Sequence, residues 1–149
     1  MSNRSVRFGA IVAVGTLVLA GTACSSDDAK AGPTTVDVAI KEWKFTPTRT
    51  SAPAGKVTFT ATNNGKEVHE LVLFQTDLAP GDLPTDEDGA VDERGKGINP
   101  VDEVEDVKPG KTKSFTVDLK PGKYVMACNV VENGQVHYEH KMYRAFTVS

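Results

Sequence analysis

Apolar and polar residues alternate through most of the chain from Val36 onward. Val36, Val38 and Ile40 alternate with Asp37, Ala39 and Lys41, the period-2 signature of a strand with one buried face. The pattern returns over residues 56–62, with Val57, Phe59 and Ala61 on one face, and over 114–119, with Phe115, Val117 and Leu119 inward. Residues 71–74, Leu-Val-Leu-Phe, form an unbroken apolar run, which predicts a strand buried on both faces. Pro121-Gly122 predicts a turn into a strand that ends at Cys128, and residues 144–148 predict the closing strand. Pro47, Pro53, Gly55 and Asn63-Asn64-Gly65 punctuate the early strands. No stretch carries a convincing helical period. Short strands with Gly and Pro turns predict an all-β, antiparallel sandwich.

Two segments depart from this pattern. At the N-terminus, Arg4 and Arg7 precede an apolar run from Phe8 to Ala20, and Gly21-Thr22-Ala23 leads into Cys24. This reads as a secretory signal over residues 1–23. The apolar run is too short for the ~20 residues of a spanning helix. Residues 25–35 are polar and aperiodic and read as a flexible tether. The second departure is residues 77–106, where eleven carboxylates stand against Arg94 and Lys96, a local charge of −9. Its glycines, prolines and few large apolar side chains predict a long acidic surface excursion, with a helical turn near residues 100–107.

Without residues 1–23, 126 residues remain, one domain's worth, and residues 36–149 hold the folded part. The formal charge of −3 becomes −5 once Arg4 and Arg7 are removed, which argues against a nucleic-acid partner. The sequence has no Gly-rich phosphate loop and no hydrolytic constellation; a Cys128/His nucleophile is possible in composition only.

The chain has two cysteines. If processing consumes Cys24, Cys128 has no disulfide partner in an oxidising compartment. A buried, inert thiol is one explanation. Its neighbours suggest another: His137 follows after eight intervening residues, Met142 after four more, and His69 lies upstream in Glu67-Val-His-Glu70. One thiolate, two imidazoles and a weak thioether form the donor set of a blue-copper site. His140 is a rival to His137 for the second imidazole. Glu70 is either a surface carboxylate or a group tying its strand to the Cys128 loop. Trp43 and Phe45 read as core or core-edge aromatics.

Three stretches resemble the cupredoxin family of the plastocyanin/azurin type. Residues 45–47 with 54–59 resemble its early strand pair, and residues 68–73 resemble the strand bearing the first His ligand. Residues 120–129 and 137–142 resemble the strand and loop that deliver Cys, His and Met. The resemblance implies a Greek-key sandwich, one copper held by His69, Cys128, His137 and Met142, and one-electron transfer rather than catalysis. It implies a redox partner, for which the acidic excursion suggests a basic c-type cytochrome or an oxidase. The four-residue gap from His137 to Met142 matches the family. The Cys128–His137 gap is longer than its usual two to four residues, so residues 129–136 carry an insertion, with Asn133-Gly134 as its turn. Cys24 resembles the acylated cysteine of bacterial lipoproteins, which implies a membrane anchor outside the cytoplasm. Gly21 in place of the usual Leu also admits ordinary cleavage and a secreted protein. Copper delivery without redox exchange, and a metal-free interaction module, are the alternative functions.

Overall fold

The computed structural model describes residues 32–149, so the expected signal, Cys24 and most of the expected tether lie outside the described residues. Among those described there is no helix, and none long and apolar enough to cross a membrane. The strands are β1 (Thr34–Lys41), β2 (Lys44–Pro47), β3 (Ser51–Ala52), β4 (Gly55–Asn63), β5 (His69–Thr76) and β6 (Ile98–Val107), then β7 (Thr112–Leu119), β8 (Gly122–Ala127), β9 (Val131–Glu132), β10 (Gln135–Val136) and β11 (Tyr143–Val148). One sheet has the order β2-β1-β4-β7 and the other β3-β11-β8-β5-β6. The expected sandwich is present. Its pairing is antiparallel except at β1–β4 and β3–β11, which run parallel. The first strand begins two residues before Val36.

The alternating strands bury the faces their sequences predict. Val36, Val38 and Ile40 of β1 and Val57, Phe59 and Ala61 of β4 are sealed between the sheets. Phe59 stacks on Phe115 of β7 and meets Phe146 of β11 edge-on, which joins the two layers. Truncating such an aromatic to Ala costs about 3–5 kcal/mol. Strand β5 is buried on both sides, as its apolar run requires. Leu71 and Leu73 enter the core between the sheets. Val72 and Phe74 enter a second cluster with Leu83, Ala90, Val91, Val136 and Tyr138.

That second cluster corrects the reading of residues 77–106. Only residues 77–97 leave the sheet, and they fold back as a flap that buries Leu83, Ala90 and Val91 while its acids face water. Residues 98–107 are strand β6 on the sheet edge, not a helical turn. Two register shifts hide the strand: β6 carries one extra residue between the pairs Val107–His69 and Val104–Leu71, and another between Asp102–Leu73 and Pro100–Phe74. Each bulge breaks the alternation, so Val104 and Val107 are buried three residues apart, a helix-like spacing. Outward acids and Pro100 suit an edge strand, where they discourage pairing with another chain.

Candidate metal centre

Four elements meet at one end of the sandwich. His69 opens β5, Cys128 follows the last residue of β8, and Met142 immediately precedes β11. The turn between β1 and β2 brings Glu42 and Trp43 over the same end. Because β5 and β11 both pair antiparallel with β8, the two strand starts and the β8 end lie side by side. The loop from Cys128 to Met142 is held by its own backbone. Cys128 N donates to Met142 O at 3.0 Å, Met142 N to His137 O at 3.3 Å and His137 N to Val130 O at 3.0 Å. The insertion forms a small hairpin of β9 and β10, with Asn133 (φ 53°) and Gly134 (φ 74°) at its two-residue turn. Two left-handed residues define the turn type that Asn-Gly favours. The extra length is thus absorbed as regular structure and returns His137 to the loop base.

His69, Cys128 and His137 come together with no solvent exposure. The two Nδ1 atoms are 3.1 Å apart, Cys128 Sγ is 3.2 Å from His137 Nδ1, and Sγ is 3.8 Å from His69 Nδ1. Met142 is fully buried in the same core cluster as Cys128. His140 is left outside: it is exposed and stacks on Trp43 with ring centroids 4.3 Å apart. Trp43 in turn meets the His137 ring edge-on at 4.8 Å and the His69 ring at 6.3 Å, so it covers the imidazole pair.

The outer edges of both imidazoles face carboxylates. Glu42 Oε1 lies 3.4 Å from His69 Nε2, and Glu67 Oε2 lies 3.5 Å from His137 Nε2. His137 Nε2 is buried without a hydrogen-bond partner. A carboxylate favours a proton on the nitrogen it faces. Protons on both Nε2 atoms leave two Nδ1 lone pairs facing each other beside Sγ, three donor atoms close enough to share one cation. Soft sulfur with two imidazoles and a thioether is the donor chemistry of type 1 copper, so these residues fit that ion.

Burial sets the protonation states of the metal-free donors. Burial pushes the Cys128 thiol up to about 12, although the Glu70 N–H, 3.5 Å from Sγ, opposes this. Burial lowers His137 to about 4, helped by the neighbouring histidines, and burial lowers His69 against the pull of Glu42. The metal-free imidazoles are therefore neutral and ready to ligate. Glu42 is also desolvated, which alone would raise it, but the Glu67 and Lys66 N–H groups and His69 hold it down at about 2.

Around the donors, Glu70 Oε1 accepts from Asn129 N at 2.7 Å and so ties β5 to the residue after Cys128. Burial raises Glu70 to about 7, with nearby acids adding to the shift. The Asn129 side chain accepts from Val91 N and donates to Val91 O at 3.0 Å. Tyr138 Oη donates to Pro80 O at 2.8 Å and accepts from Leu83 N at 3.0 Å. The residues after Cys128 and after His137 thus both grip the flap. Buried Asn63 donates to Glu67 O and Val107 O, each at 2.7 Å, and shapes the turn that leads into His69. Glu42, Glu67, Asn63 and the covering role of Trp43 escape sequence reasoning. The one local signal is Asn63-Asn64-Gly65, which marks a turn without revealing what it carries.

Comparison with known proteins agrees with the fold. Residues 12–137 match the model of the family described as Cupredoxin-like domain; the match stops short of Met142. No curated protein sequence matches the chain. Similar solved structures include reduced auracyanin from Roseiflexus castenholzii, 20% identical, covering 80% of this chain and 99% of that one, with a TM-score of 0.56. Auracyanin A from Chloroflexus aurantiacus, described as a "blue" copper protein, is 20% identical over 79% of this chain and all of that one, with a TM-score of 0.54. An azurin from Methylomonas sp. strain J is 14% identical over 78% and 98% of the two chains, also at 0.54.

Proposed function

The chain belongs to the cupredoxin-like family, and from that premise we propose that it is a mononuclear type 1 copper protein that carries single electrons outside the cytoplasm. The observation that carries this reading is the convergence of His69 Nδ1, His137 Nδ1 and Cys128 Sγ in a space without solvent exposure. His69, Cys128 and His137 hold the metal, and Met142 supplies the weak fourth donor. Copper bound there supplies a one-electron couple between Cu(I) and Cu(II). The chain supplies rigidity. His69 is set by a sheet strand, Cys128 by the end of another, and the loop between Cys128 and Met142 is cross-bonded to itself. Such a frame changes little with oxidation state. Trp43 excludes water from the imidazoles, and the Glu70 N–H directed at Sγ stabilises negative charge on sulfur.

Full burial of every donor favours a resident metal over one handed to a partner, which is the competing copper-delivery reading. Voltammetry of the copper-loaded domain tests the choice. A reversible one-electron wave supports the carrier, and copper that leaves on reduction supports delivery.

The partner we propose is a basic redox protein, a c-type cytochrome or an oxidase, steered by the acids of residues 77–106. Asp86, Glu87 and Asp88 are exposed on the flap. Asp86 Oδ1 also accepts from Asp88 N and Ala90 N, so the substitutions that test steering are Asp86→Asn, Glu87→Gln and Asp88→Asn together. They lower the on-rate and flatten its salt dependence; an unchanged on-rate assigns these charges to solubility. Attachment through an acylated Cys24 accounts for the N-terminal pattern. Membrane partitioning that Cys24→Ala abolishes supports the anchor, and wild type wholly in the medium supports the secreted form.

A further inference from the structure

The β1–β2 turn carries a carboxylate whose position the sequence does not explain. Glu42 lies at the surface end of β1 but turns inward, and its side chain is only 20% exposed. Its Oε1 accepts the backbone N–H of Lys66 and, at 2.9 Å, that of Glu67. The same oxygen lies 3.4 Å from His69 Nε2. The cradle is closely fitted, because a Cβ at Gly65 would collide with the Glu42 carboxylate. Asn63 Oδ1 takes the Gly65 N–H at 2.8 Å, so the turn is shaped from both sides. One carboxylate thus joins three partners from the segment that ends in His69.

We propose that Glu42 is the positioning residue of the centre: it keeps the His69 proton on Nε2, so that Nδ1 faces Cys128 and His137, and its charge favours Cu(II) over Cu(I). The inference rests on the copper reading for its second half only. A neutral imidazole has one proton and two nitrogens, and the hydrogen bond made by one nitrogen decides the role of the other. At His69 the inner nitrogen lies 3.1 Å from His137 Nδ1 and 3.8 Å from Sγ. A proton held on Nε2 by an anion leaves that inner nitrogen as a donor to metal. Because Glu42 also bonds Glu67 N, it fixes the backbone from which the Glu67 carboxylate reaches toward His137 Nε2 at 3.5 Å. Outer partners of this kind change metal affinity by about 10–100-fold when removed.

A role confined to bracing the turn would give a different result. Glu42→Gln keeps an oxygen for the Lys66 and Glu67 N–H groups but removes the charge, whereas Glu42→Ala removes both. The test has two arms. In the metal-free protein, ¹⁵N NMR of the imidazoles reads the His69 tautomer. The Nε2–H form dominates in wild type; Glu42→Ala shifts toward a mixture, and Glu42→Gln, whose neutral amide oxygen still faces Nε2, shifts less far. In the copper-loaded protein, Glu42→Gln shifts the preference for Cu(II) over Cu(I) down by about tenfold, a rise in potential of ~59 mV. Melting temperature falls clearly in Glu42→Ala and less in Glu42→Gln. An unchanged tautomer and potential in Glu42→Gln, with only the melting temperature of Glu42→Ala reduced, overturns the proposal and makes Glu42 a turn brace. If wild type takes up no copper, the copper reading fails by itself and the tautomer arm still decides the role of Glu42.

Discussion

His69 and His137 stand with their Nδ1 atoms 3.1 Å apart, although 68 positions separate them in the chain. The metal-free site must carry protons that a metal displaces. Burial pushes the Cys128 thiol up to about 12 and lowers His137 to about 4, with His69 lowered as well. Between pH 7 and 9 the imidazoles are therefore neutral and the thiol is protonated, so copper uptake releases one proton from Cys128. Apparent affinity, measured by competition with a copper chelator, rises about tenfold per pH unit across this window. A flat profile would mean that the thiol is already ionised.

Glu70 gives the metal-free domain a second pH dependence. Its carboxyl is raised by burial to about 7, above the ordinary 4.5. The folded state therefore holds a proton between those values that the unfolded state has lost. This contribution is fully present below pH 4.5 and is lost as pH rises through 7. Glu70→Gln removes the slope, so variant minus wild-type stability increases from pH 5 to pH 8. The increase is on the order of 1–2 kcal/mol after solvent screening of this partly exposed group. Denaturant titrations at the two pH values measure it, and a constant difference refutes it.

His137 and His140 are expected to separate in mutants. His137 is buried among the donors and His140 is exposed against Trp43. His137→Ala abolishes the visible band of the copper protein, and added imidazole restores part of it. His140→Ala leaves the band nearly unchanged. Trp43 is the single tryptophan, so its fluorescence reports on the same place. Emission falls on copper loading in wild type and much less in His137→Ala. An essential His140 would reverse the assignment.

Tyr138 links the ligand loop to the acidic flap. Tyr138→Phe removes the hydroxyl that serves Pro80 O and Leu83 N, and leaves two backbone groups without their partner. Stability falls by about 1–3 kcal/mol. The copper band stays in place, because His137 is still held by the Val130 carbonyl. A shifted band would show that the flap sets the metal geometry as well as covering the sheet.

Much of the fold is legible where a strand obeys one rule. Val36, Val38 and Ile40 alternate because one face of β1 is buried, and Leu71–Phe74 is continuous because β5 is buried on both. Strand β6 escapes because two bulges turn its period from two toward three and its outward acids imitate a loop. The meeting of His69, Cys128 and His137 is legible because a lone Cys with two His in that context serves few other purposes. Their supports are not. Glu42 meets His69 across 27 positions, and a Glu at a turn between two lysine-bearing strands looks like any solvated carboxylate. Trp43 likewise declares itself aromatic but not which rings it covers. Tertiary approach decides these roles, and no local pattern encodes it.

The central claim is a single copper held by His69, Cys128, His137 and Met142, and the visible absorption spectrum of the copper-loaded domain tests it most directly. Wild type takes up one equivalent of Cu(II) and shows an intense visible band from charge transfer between the Cys128 thiolate and the metal. Cys128→Ser folds with its sandwich intact and lacks that band. A wild-type protein that stays colourless and binds no copper, or a Cys128→Ser variant that keeps the band, would contradict the account.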